Sequence, residues 1–111
     1  RSWLVTDAEE TLGGYQVVHG RPPAFEGADG HSYSAGIFSE DAPGPDERYG
    51  AAVIFVRWSP SNEPAGHLET GFLAHDADPS RAEQSVGRMT LLDAKRHLDG
   101  LIAGTRSPED S

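Results

Sequence analysis

The chain has 111 residues, a net charge of −9 and no cysteine. A single hydrophobic core is expected at this length, and the missing thiols exclude disulfide staples, thiolate catalysis and cysteine-held zinc or iron–sulfur centres. Two Trp, three Tyr and four Phe supply anchors for a fold, while 13 Gly and 8 Pro mark long connections.

In chain order, Trp3-Leu4-Val5 reads as a short edge strand or arm before the charged Asp7, Glu9 and Glu10. Tyr15 to His19 is rich in β-forming residues and is expected to be a strand, ended by Pro22 and Pro23, which cannot donate to a ladder. Residues 20–31 then form a long loop pinned by Phe25. From Ser32 to Phe38, Tyr33, Ala35 and Ile37 share one face in strand alternation. Residues 39–50 collect acids, prolines and Gly44, and are expected to be an exposed loop.

Ala51 to Trp58 is apolar on both faces except at Arg57, with β-branched Val53, Ile54 and Val56, and is expected to be a central strand covered on both sides. The Ser59–Pro64 turn returns the chain as a second strand, His67 to Ala74, with Leu68 and Phe72 inward. Asp78-Pro79 caps a short helix over Ser80–Val86. Thr90 caps a longer one over Leu91–Ala103, whose stripe is Leu91, Ala94, Leu98, Leu101 and Ile102, with Gly104 as the stop. The expected fold is α+β, a mainly antiparallel sheet of about four to five strands with one C-terminal helix on one face. Residues 1–104 form the single domain, with residues 105–111 as a polar tail.

Residues 1–50 hold nine acids against three bases, and residues 51–111 nine against six. Nucleic-acid and anionic-membrane binding rest on Lys and Arg, so this field disfavours both and suits a basic protein partner. No apolar run approaches the roughly 20 residues needed to span a bilayer, and a cytoplasmic setting is expected.

His67 and Glu69 lie two apart on a strand, on one face and about 6 to 7 Å apart at their α-carbons. They are the weak candidates for a metal or an acid–base pair, but a third ligand is missing because a straight strand puts His75 about 26 Å from His67. With Arg57 and Trp58, which could stack or line a pocket, they form the candidate ligand site. No phosphate cradle, nucleophile elbow or complete metal motif is present, so no catalytic residue, metal or cofactor is assigned. The leading expectation is a small acidic, non-enzymatic protein-binding or accessory module, in its most specific form an inhibitor or immunity-type protein for a basic partner, with acidic loops and an uncovered sheet face available for contact. The alternative is a small enzyme or ligand- or metal-binding domain, as a homodimer, around the His/Glu site.

Overall fold

The computed structural model describes residues 10–42, 44 and 48–105. The Trp3–Val5 segment and residues 106–111 of the expected tail lie outside the described residues.

The strands are β1 (Ala24–Glu26), β2 (Ser32–Ala42), β3 (Arg48–Trp58), β4 (Pro64–Glu69) and β5 (Ala74–Asp76), and the helices are α1 (Leu12–His19), α2 (Pro79–Gly87) and α3 (Leu91–Thr105). All strand pairs are antiparallel in the order β1-β2-β3-β4, and β5 continues the β4 side of β3 along its first half. The fold is therefore α+β, with the C-terminal helix on one face of an antiparallel sheet. None of the described helices is long and apolar enough to cross a membrane.

Strand alternation divides β3 into two faces. Ala51, Val53 and Phe55 point to one side and are sealed there with Tyr33 and Ala35 of β2, Leu12 of α1, Ala82 and Val86 of α2, and Ala94, Leu98 and Ile102 of α3. The expected leucine stripe of α3 thus joins the same core as the 51–58 strand, with α2 the helix packed most directly on β3 and α3 beside β4. Phe25 packs edge-on against Phe55 with ring centroids 6.5 Å apart, so the aromatic expected to pin the 20–31 loop does so from within β1.

The short helix capped by Asp78 and the cap at Thr90 form as expected: Ser80 N–H donates to Asp78 Oδ1 at 2.8 Å and Asp93 N–H to Thr90 Oγ1 at 3.1 Å. Helix α3 runs through Gly104 to Thr105.

Tyr15–His19 is helical rather than extended. Thr11 accepts the Gly14 N–H at 3.0 Å, and Gly20 closes the helix in the left-handed region (φ 69°) with its N–H on Gln16 O. Two good caps and the burial of Leu12 outweigh the strand preference of Val17 and Val18, which stand 84% and 70% exposed.

The 39–50 segment is mostly ladder. Ser39 to Ala42 pair with Ala51 to Arg48, because antiparallel pairing satisfies backbone groups whatever the side chains are.

The expected His67–Ala74 strand is broken. Thr70 turns inward, accepting the Val53 N–H at 3.0 Å and donating to Gly71 O at 2.8 Å, which ends β4. The chain then crosses, and Phe72 lies on the sheet face opposite the core rather than inward. Its ring rests on Gly50 so closely that a β-carbon there would sit 2.5 Å from the ring.

Candidate functional site

All three helices bury their apolar residues on one side of the sheet. The other side is made by the alternate residues: Ser34, Gly36 and Phe38 of β2, Ala52, Ile54, Val56 and Trp58 of β3, and His67 and Glu69 of β4. No described helix packs there; among the described residues Phe72 covers the Gly50 end of β3, where Ala52 is buried, and Ile54, Val56 and Trp58 stay half-buried. The double-sided apolarity of Ala51–Trp58 thus divides between the helix-covered core and this second face.

Ile54, Val56, Trp58 and Phe38 are half-buried by one another, and Phe72 extends the ridge beyond Ala52. Trp58 is fixed in place by its Nε1–H, which donates to Ser34 Oγ at 3.0 Å. An apolar ridge with an aromatic held at its end has the makings of an interface core. Its rim is acidic: register places Glu26, Glu40 and Glu69 on this face, against Arg48, His67 and His75.

The four candidate residues are separated by this division. Trp58, His67 and Glu69 share the open face, while Arg57, adjacent to Trp58 in the strand, points to the helix side and donates to Ala65 O at 2.7 Å. Arg57 and Trp58 therefore do not stack. Arg57 instead lines a pocket of about 200 Å³ with Asp29, Tyr33, Gly66, Leu68, Thr105 and the candidate residue His67, so these two of the four share a pocket at the strand edge.

His67 Nε2 lies 3.3 Å from Glu69 Oε2, and both side chains are about half exposed. His75 sits opposite Gly50, at the other end of β3. Among the described residues no three His, Asp or Glu side chains could share a metal ion. Phe38, Ile54, Val56 and Phe72 were not among the candidates; the signal for the two β3 residues lay in the strand's unbroken apolar run.

One polar cluster lies beneath the helix side. The Tyr33 hydroxyl donates to Asp29 Oδ2 at 2.7 Å, and Asp29 Oδ1 accepts the His31 N–H at 3.1 Å. Burial pushes the Asp29 carboxyl upward, but the bonds from Tyr33 and His31 outweigh it and hold its pKa below the ordinary 3.8. Burial first, then the bond to Asp29, raises the Tyr33 phenol above 10.0. The stability contributed by Asp29 is fully present above pH 3.8 and is lost as pH falls through its lowered folded value. That contributed by Tyr33 is fully present below pH 10.0 and is lost as pH rises through its raised folded value. Thermal midpoints measured across pH should fall at both ends, and Tyr33→Phe should flatten the alkaline limb. An unchanged alkaline limb would remove Tyr33 as its source.

A surface groove of about 880 Å³ runs between α2, α3 and the Thr70–Leu73 crossing, lined by Val86, Met89 and Leu101 with Arg88, Arg96 and His97. Arg96 is paired with Asp93 at 3.4 Å. No protein-family model, curated protein or solved structure matches the chain.

Proposed function

We propose that the protein is an acidic, non-enzymatic binding or accessory module of the cytoplasm, of the inhibitor or immunity type, that uses its open sheet face to cover a basic protein partner. The observation that carries this reading is the uncovered ridge of Phe38, Ile54, Val56 and Trp58 within an acidic rim. A soluble domain rarely leaves a contiguous apolar strip on a sheet face without an occupant, and complementary charge accelerates encounter and rejects wrong partners. The Thr70 hydroxyl, beside Glu69 in the chain, is engaged by Val53 N–H and Gly71 O, and Ser34, two strands across from His67 by register, accepts from Trp58. An acid–base pair without a free nucleophile is poor support for hydrolysis.

Co-purification of the native protein identifies the partner, and association is then followed by stopped flow. The on-rate should fall by about tenfold or more between low and high salt, as electrostatic steering requires. Val56→Glu should weaken the complex by roughly 100-fold, about 2.7 kcal/mol, by placing a charge in the interface centre. A salt-independent on-rate, or full affinity in Val56→Glu, would refute the proposal.

A further inference from the structure

The outer edge of β2 is a second feature of the sheet that lacks a partner among the described residues. β1 pairs with Ser32–Ser34 alone, and Pro23 O takes the Ala35 N–H at 3.0 Å. Beyond that point β2 runs seven residues further, to Ala42, paired on its β3 side. The direction of its backbone groups follows from β3. Val53 directs its N–H to Thr70 Oγ1 and its C=O to Thr70 N–H, away from β2. Its register partner Ile37 must therefore point away from β3, as must Ser39 opposite Ala51 and Asp41 opposite Tyr49. Ala35, two residues earlier, does so toward Pro23. Ile37, Ser39 and Asp41 thus present their N–H and C=O groups at the rim of the sheet, and no described residue pairs with them.

Soluble proteins normally blunt such an edge. β4, on the opposite rim, is interrupted by Pro64, by Gly66 at φ 145° and by a register shift at Arg57/Trp58. β2 has an unbroken register and no proline over the same stretch. Beside it lies a cleft of about 550 Å³ bounded by Ile37, by Gln16 and Val17 of α1, and by Glu83 and Gln84 of α2. The charge around the edge is acidic: Glu40 and Asp41 lie on the strand, and Glu83 accepts the Ser39 hydroxyl, with Arg88 the cation of the cleft.

We propose that this edge takes an extended segment of a basic partner as an added strand along Ile37–Asp41. One apolar side chain of the segment enters the cleft against Ile37 and Val17, and its Lys or Arg side chains meet Glu40, Asp41 and Glu83. The mode is β-strand addition, in which backbone bonds give affinity and alternate side chains give selectivity. The inference rests on the binding-module reading and deepens it by naming the chemistry of the docked segment. A second copy is the poorer occupant, because self-pairing would place Glu40 and Asp41 of two chains, each carrying −9, along one seam.

The probe is a capped heptapeptide of Lys and Arg with one central Val, titrated by fluorescence polarisation and by amide exchange. Binding should slow exchange at Ile37, Ser39 and Asp41 and leave Phe38 and Glu40, which already face β3, unchanged. Ser39→Pro removes an outward N–H without touching the β3 ladder and should weaken the peptide by about tenfold or more, whereas Ser39→Ala should bind as the parent does. A peptide with Glu in place of Lys and Arg should not bind. If Ser39→Pro does not fold, the exchange pattern of the parent decides alone. Absence of binding, equal affinity in Ser39→Pro, or protection elsewhere would overturn the proposal, as would a dimer in light scattering that Ser39→Pro dissolves. A native complex lost in Val56→Glu but intact in Ser39→Pro would sink the edge and leave the module standing.

Discussion

Phe55→Ala is expected to cost about 3–5 kcal/mol, the range for deleting a buried aromatic ring. Total stabilities of small domains lie near 5–15 kcal/mol, so this one change should leave the protein close to its unfolding threshold. Phe55 is fully enclosed, stands in register between Ala35 and Leu68, and receives the edge of Phe25. The small side chain of Ala35 gives its neighbours little means to close over the vacancy, and cavities that cannot collapse cost most. Chemical denaturation and calorimetry should both report the loss, the latter as a fall in midpoint on the order of 15 °C. Phe55→Leu keeps most of the volume and should cost only about 1.5 kcal/mol. Equal costs for the two variants would mean that the site is not packed as described.

The residues that fix this core were readable because two periodicities agree. Tyr33, Ala35 and Ile37 alternate as a strand, and Ala94, Leu98 and Ile102 recur as a helical stripe. Caps at Asp78 and Thr90 marked where helices begin, since a side-chain oxygen next to a helical pattern has one obvious use. Segments without such agreement were misread. Tyr15–His19 is too short for its period to separate helix from strand, and its fate is decided by Thr11, Gly20 and the burial of Leu12. Residues 39–42 and 48–50 look like loop because they flank a run of prolines, acids and Gly44 and are mostly polar or small themselves, yet backbone pairing with each other holds them in the sheet.

The candidate site was legible only in part for a similar reason. The His67–Glu69 spacing correctly put the two side chains on one face. Grouping Arg57 with Trp58 failed, because neighbours on a strand point to opposite sides and only one side of β3 faces the helices. Phe72 escaped because β4 ends at Glu69 and the crossing after Thr70 takes the chain out of strand alternation. A hydroxyl satisfying the Val53 N–H is a tertiary event that no local pattern announces.

Leu98→Ala separates the covered face of the sheet from the open one. Leu98 is fully buried at the middle of the α3 stripe, one turn from Ala94 and one from Ile102, and its loss should cost about 3 kcal/mol. Val56, also a large aliphatic residue of the sheet system, lies on the side that no described helix covers and is half-buried there. Val56→Ala should therefore cost less than about 1 kcal/mol, since much of the removed surface was already in water. The contrast bears on the proposed interface, which needs Val56 to be apolar and accessible in the free protein. Urea melts of the two variants measure the asymmetry, and equal slopes with separated midpoints would assign the difference to the folded state. Comparable costs would mean that the second face of β3 is already occupied within the chain, and the ridge would then be unavailable to a partner.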